Sequence, residues 1–320
     1  MPVLNADQIL QRAEILRKKV SPCVLCPRQC RALRLQGEKG FCGMTDAAVL
    51  SDCLAHFGEE PPISGSGGSG TVFLSGCNAA CLFCQNYQIS RLRMGRAVSS
   101  TELAEEFLKL QDQGCVNINW VTPTPHLPFL VEALALAVAC GLKLHVVYNT
   151  NGYDRVEILR LLSGVVDVYL PDMKYGENRW AERFSRMPGY VEISFEAVRE
   201  MLRQVGPLEL DSAGTARRGV LIRHLVLPED TASSRLVFQR IAQLGRIPVS
   251  IMAQYKPCFE ARKHPVLNRG LYPFEYREAL KAFEEAGLSA GYIQDLKSLN
   301  EEDAYFPDFS KDAGDIFGRT

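Results

Sequence analysis

The chain has 320 residues, 47% of them apolar and 23% charged. These proportions exclude collagen-like, disordered and membrane-spanning classes and allow one large domain or two smaller ones. With 36 Lys and Arg against 37 Asp and Glu, the net charge is -1; no polycationic surface spans the chain, so neither nucleic acid nor a membrane is expected as a partner. The anomaly is eleven cysteines. The first twenty residues lack the apolar core and cleavage site of a signal peptide, so a cytoplasmic location is expected, where clustered cysteines more often hold metal than form disulfides.

Residues 6–19 carry Ile9, Leu10, Ala13 and Leu16 on one stripe and predict an amphipathic helix. A Cys-, Pro- and Arg-rich stretch follows to Gly43, without a clear period, and PPISGSGGSG (61–70) reads as turn chemistry at a boundary. From Thr71 short apolar runs alternate with helical stretches. The runs are TVFLS (71–75), NINWV (117–121), KLHVVY (143–148), VVDVYL (165–170), GVLIRHLV (219–226), PVSIM (248–252) and GYI (291–293). Helices are expected between them, the first opened by a capping box of Ser99 and Glu102. Such alternation predicts an α/β fold with helix-covered parallel strands, read here as a partial (β/α)6-type TIM barrel with an N-terminal Cys-rich metal-binding module. A doubly wound open sheet competes on periodicity alone. The expected division is 1–60 for the helix and module, 61–294 for the barrel and 295–320 for an acidic tail. The aromatics of that tail, Tyr305, Phe306, Phe309 and Phe317, are expected to pack on the barrel.

Cys77, Cys81 and Cys84 follow the first strand, at the end where parallel α/β folds assemble their sites. Three thiolates can hold three irons of a cubane and leave the fourth open for a ligand, whereas an electron carrier would use four. Zinc with three Cys and a distant His is the alternative.

GCNAACLFCQN (76–86) resembles the C-x3-C-x2-C signature of the radical S-adenosylmethionine (SAM) superfamily. The likeness is greatest to its pyruvate formate-lyase activating enzyme-like branch with an N-terminal CxLCPRxC module. CVLCPRQC, GEKGFCG, HFGEEPPISG, VTPTPH, YNTNGY, LPDMKY, IRHLVLP and AQYKP also carry the resemblance. It implies a [4Fe-4S] cluster on Cys77, Cys81 and Cys84, SAM on the open iron, and reductive cleavage to a 5′-deoxyadenosyl radical that abstracts hydrogen. Phe83 would lie near the adenine, and Thr122 stands where many relatives hold the SAM amino group with Gly-Gly-Glu. Asn149 stands where similar activating enzymes have an Asp that, with the Thr (Thr150 here) and a second Asp, binds a monovalent cation. The implied substrate is a partner protein on which a glycyl radical is installed, with a small molecule or peptide equally open.

At later strand ends, Asn149, Thr150, Asp172, Lys174, Arg223 and His224 are expected to face a zwitterionic, nucleoside-bearing ligand. The catalytic expectation falls on Asp172, Lys174 and Arg223. Structural roles compete: a strand-end salt bridge for Asp172 and Lys174, a satisfied core histidine for His224. Cys23, Cys26, Cys30 and Cys42 offer four thiolates in a segment of little apolar content, enough for a structural zinc or an auxiliary [4Fe-4S] cluster. Pro27 beside the C-x2-C pair resembles a knuckle and favours zinc. Arg28, Arg31, Arg34 and Lys39, with Arg91, Arg93 and Arg96, are expected as a solvated basic face, suited to an acidic protein partner, a phosphorylated substrate, or an electron donor such as flavodoxin or ferredoxin. Cys115 and Cys140 read as small buried hydrophobes, Cys53 as a reserve for the N-terminal site, and Cys258 as facing the main site. His56 and His126 read as loop histidines of no assigned role. Two other function classes remain at this stage: an iron–sulfur electron carrier with every cluster fully ligated, and a binding protein with zinc in both cysteine groups.

Overall fold

The computed structural model describes residues 3–295, 307–311 and 316–317. Its strands are β1 (Ala48–His56), β2 (Ser69–Leu74), β3 (Arg96–Val98), β4 (Asn117–Val121), β5 (His145–Thr150), β6 (Val168–Pro171), β7 (Glu209–Leu210), β8 (Ala216–Val220), β9 (Ile222–Leu225), β10 (Val249–Met252) and β11 (Gly291–Ile293). Eight form one sheet in the order β3-β1-β2-β4-β5-β6-β8-β7, and three form another, β11-β10-β9. The steps β2-β4-β5-β6-β8 and β9-β10-β11 are parallel, while β1, β3 and β7 join antiparallel. The two sheets meet where β6 ends: Leu221 N–H donates to Tyr169 O at 3.0 Å and Met173 N–H to Arg223 O at 2.8 Å. This is a mixed α/β fold built on a large, parallel-rich sheet.

The strands are buried on both faces, hence their near-continuous apolar runs. Val72, Leu74, Ile118, Trp120, Val146 and Tyr148 face the helices Ser100–Asp112 and Leu127–Ala139. The alternate residues, among them Phe73, Val121 and Asn149, line the other side. The N-terminal helix, Ala6–Arg17, buries Ile9, Ala13 and Leu16 against Leu127–Ala139. The expected capping box is present at Ser99, and a second stands at Asn5.

Several elements differ from the sequence expectation. The run 219–226 is two strands, β8 and β9, because the chain changes neighbours at Leu221: Gly219 and Val220 pair with β6, and Ile222–Leu225 pair with β10. β1 lies before residue 60 yet pairs along its length with β2. Its apolar positions are broken by Asp52 and Ser51, so no strand run stands out. The stretch 61–70 is not all turn: Pro61–Ser64 is a helical turn with Ile63 fully buried, and β2 begins at Ser69. Of the tail aromatics, Phe309 and Phe317 pack on Phe73, at 5.2 and 6.0 Å between ring centroids. Tyr305 and Phe306 lie outside the described residues. Among the described residues no helix is long and apolar enough to cross a membrane.

Candidate active site

The loop after β2 brings Cys77, Cys81 and Cys84 to one cavity. Lining it with them are Phe83, Thr122, Asn149, Thr150, Asp172, Lys174 and Arg223, so all but one of the residues predicted around the triad are gathered there. The exception is His224. Neighbouring residues of a strand face opposite sides; Arg223 points into the cavity and His224 away from it. His224 is fully buried, its Nδ1 2.7 Å from Met173 O and its Nε2 2.9 Å from Ser234 Oγ. Burial lowers its pKa to about 4, so the ring is neutral. Its place is in the core.

Each thiol of the triad has a polar neighbour. Cys77 Sγ accepts from Asn151 Nδ2 at 3.4 Å and from Ala79 N–H at 3.3 Å. Ser185 Oγ lies 3.0 Å from Cys81 Sγ and Ser90 Oγ 3.1 Å from Cys84 Sγ. Burial pushes Cys77 up to about 12 and Cys84 to about 11, which disfavours free thiolates there. The donors are those that an anionic, metal-bound sulfur takes up. Cys258, buried near Cys84 and Cys81, is close enough to feel their charge.

On the floor, Arg223 is the hub. Its Nε donates to Asp172 Oδ1 at 3.0 Å, Nη2 to Asn149 Oδ1 at 2.6 Å and Nη1 to Glu59 Oε2 at 3.3 Å. Lys174 Nζ donates to the other Asp172 oxygen at 2.6 Å. Burial raises the Asp172 carboxyl, but Lys174 and Arg223 outweigh it and hold the pKa below the usual range. For Lys174 burial works downward, and Asp172 reverses it. Two carboxylates and two cations are bonded together here, and Glu60, buried near Arg223, has its carboxyl raised by burial toward the uncharged form. Asp172 and Lys174 do form the expected strand-end pair, and they do so on the cavity wall.

Glu59 was not among the predicted site residues. It also accepts from Asn119 Nδ2 at 3.0 Å and Asn149 Nδ2 at 3.2 Å, tying the segment after β1 to β4, β5 and β9. The other omissions are Asn78, Asn151, Ser90, Ser185 and Asp154. Thr150 Oγ1 donates to buried Asp154 at 2.5 Å, and Thr124 Oγ1 donates to the same carboxylate at 2.7 Å. Asn151 and Glu59 stood within YNTNGY and HFGEEPPISG; which of their polar residues reach the cavity is a tertiary matter. Thr122 lines the cavity in the left-handed region, φ +53°, its N–H on Asn149 O. Pro307, Phe317 and His56 close one side, His56 stacked on Phe317 at 4.2 Å.

Cys23, Cys26, Cys30 and Cys42 line a second, smaller cavity with Leu25, Arg28, Arg34, Phe41, Asn78, Thr124 and Pro125. Gly40 has the sulfurs of Cys30 and Cys42 at 3.1 and 3.7 Å from where a Cβ would stand, so only glycine leaves them this room. Among the described residues no three His, Cys, Asp or Glu side chains gather tightly enough for a single metal ion. Cubane ligation, by contrast, places the thiolates on separate irons. The expectation of a solvated basic face is corrected here: Arg34 is fully buried and Arg28 partly so, while Arg31 and Lys39 are exposed. Cys53 is not at this cavity; it sits in β1 opposite Val72, near Glu106. Cys140, expected inside, is exposed at a helix end. His126 is fully buried with Nε2 2.7 Å from Ser75 O, and burial lowers it to about 4.

Residues 71–240 match the family model of the Radical SAM superfamily. An uncharacterized protein of Methanocaldococcus jannaschii is 32% identical over 292 residues, 88% of this chain and 80% of that protein. Among solved structures, a radical SAM methyltransferase from Sphaerobacter thermophilus aligns with a TM-score of 0.47 at 14% identity. That alignment takes in 70% of this chain and 65% of the methyltransferase. A domain of pyruvate-formate lyase-activating enzyme from Bacteroides vulgatus aligns with a TM-score of 0.37 at 16% identity, over 52% of this chain and 90% of that domain.

Proposed function

The chain belongs to the radical SAM superfamily, and we propose that Cys77, Cys81 and Cys84 hold its [4Fe-4S] cluster, with SAM bound in the adjoining cavity. The observation that carries this is the meeting of three cysteines, each with a hydrogen-bonding neighbour, and an ion-paired polar floor in one cavity. The cluster and SAM supply one-electron cleavage to methionine and a 5′-deoxyadenosyl radical, which takes a hydrogen atom from the substrate.

The chain's own residues bind and orient. Phe83, buried and T-shaped to Tyr255 with ring centroids 5.7 Å apart, is an apolar surface for the adenine. Asp172, Lys174 and Arg223 are a preorganised set of donors and acceptors for a zwitterion, held by each other before the ligand arrives. Thr122, Asn149 and Thr150 complete the polar wall. Arg223 already bonds Asn149 Oδ1, so a cation at that oxygen would compete with a guanidinium.

The parallel strands β2, β4, β5, β6, β9 and β10 form the partial (β/α)6 barrel, flanked by the N-terminal module (1–60) and the tail (295–320). The module's four cysteines hold a second metal centre. The chemistry is hydrogen abstraction, from a glycine of a partner protein that thereby becomes a glycyl radical in the activating-enzyme-like reading, or from a small molecule or peptide. A flavodoxin or ferredoxin supplies the electron, in the cytoplasm.

The test is anaerobic. The protein is reconstituted with iron and sulfide, reduced and given SAM, and 5′-deoxyadenosine is measured against Cys81→Ala. Formation in the wild type, reduced at least 100-fold in the variant, is expected; equal formation in both would sink the assignment of the triad.

A further inference from the structure

The stretch Cys77–Ala79 serves two cavities at once. Cys77 and Ala79 line the central cavity, while Asn78 lines the cavity of the N-terminal four cysteines. At this point the wall between them is one residue thick. Asn78 is fixed by its Nδ2, which donates to Tyr153 O at 2.7 Å, and by Asn151, whose Nδ2 reaches both Asn78 Oδ1 at 2.8 Å and Cys77 Sγ.

Arg28 lies along the same wall. It donates to the carbonyls of Asn78 and Arg186, its guanidinium rests 3.4 Å from the centroid of Phe41, and it lies within electrostatic reach of both Cys26 and Cys77. Arg34 is fully buried. Its Nε donates to Thr45 O at 2.8 Å, Nη1 stands 3.9 Å from Cys23 Sγ, and Nη2 has no partner. Among the described residues neither arginine pairs with a carboxylate. A fully buried and a partly buried cation beside four thiols, with no facing carboxylate, are costly. Four thiolates on a doubly charged metal centre carry two net negative charges, which match the two guanidiniums.

We propose that Cys23, Cys26, Cys30 and Cys42 hold a [4Fe-4S] cluster, and that Arg28 and Asn78 form the path by which it passes electrons to the triad site. Only the destination of the electron rests on the radical SAM reading. Zinc, favoured by the knuckle-like spacing, would balance the same charge, but it has no redox chemistry and leaves the shared wall without a purpose. One electron from an external one-electron carrier of the flavodoxin or ferredoxin class reduces the N-terminal centre. The same electron then leaves for the triad site and the N-terminal centre is reoxidised; no atom or proton moves.

Metal content decides it without reference to SAM. The full chain and its Cys77→Ala/Cys81→Ala/Cys84→Ala variant are purified without oxygen and assayed for iron, sulfide and zinc. About four irons and four sulfides are expected in the variant, with a paramagnetic signal on reduction, and about eight of each in the wild type. One zinc per chain with no iron in the variant would overturn the proposal. If the variant does not fold, the wild type decides, since four irons with one zinc would overturn it too. Cys26→Ser/Cys42→Ser should retain about four irons. In Arg28→Met the iron content should hold while both reduction midpoints move negative, because a cation that favours the reduced form is gone from both sites. A midpoint shift at one cluster only, or at neither, would overturn the shared path. Absence of SAM cleavage in an eight-iron protein would count against the functional reading and leave this one standing.

Discussion

Arg223 is fully committed before any ligand arrives, its three nitrogens reaching Asp172, Asn149 and Glu59. Such a group is held in place by its neighbours and loses little freedom on binding. Removing one of its anions should therefore cost stability as well as binding. Asp172→Asn leaves Glu59 as the carboxylate hydrogen-bonded to Arg223, with Glu60 buried nearby, and breaking a buried pair from one side costs about 3–5 kcal/mol. Urea unfolding at neutral pH should show that loss; a change below about 1 kcal/mol would mean water compensates the site. Arg223 was legible in the sequence as a cation at a strand end. The error over His224 was avoidable, since the period of two places adjacent residues on opposite faces. Glu59 was not legible in this way: nothing local distinguishes it from Glu60, and its partners lie 60 to 164 positions away.

At the level of elements, the strands buried on both faces were legible because their apolar runs are continuous, and the helices because of their caps. β1 was not: it pairs antiparallel at the flank and its pattern is interrupted. The break between β8 and β9 was hidden inside one apolar run. The tail was legible as aromatic and its consequence was not. Phe309 is buried on Phe73, Asp308 accepts from Gln88 Nε2 at 2.9 Å, and Phe317 lines the cavity. The described part of the segment is thus a wall of the site. Phe309→Ala should remove on the order of 3 kcal/mol of local packing, raising local opening roughly 100-fold. Limited proteolysis in the tail should accelerate accordingly while the global urea midpoint stays within about 0.5 kcal/mol of wild type. A matching fall of the global midpoint would mean the tail unfolds with the core.

For the whole molecule, near-neutral net charge conceals a set of groups buried in their uncharged form, and these make stability depend on acid. His126 and His224 are fully buried and held at about 4, against about 6.5 in an unfolded chain. The folded pKa is the lower one, so the unfolded chain binds more protons below pH 6.5. The contribution is complete above pH 6.5 and is lost as pH falls toward 4. In that window each histidine lowers stability by about 1.4 kcal/mol per pH unit, and the pair by about 3. Loss of metal in acid would act on wild type and variant alike, so the informative quantity is a difference. His224→Phe starts less stable, having lost the bonds to Met173 O and Ser234 Oγ, but it takes up one proton fewer on unfolding. The gap between wild type and His224→Phe in urea should therefore narrow by about 1.4 kcal/mol on going from pH 6 to pH 5. A gap that stays constant would show that His224 is protonated in the fold, and would return it to the candidates for a charged role.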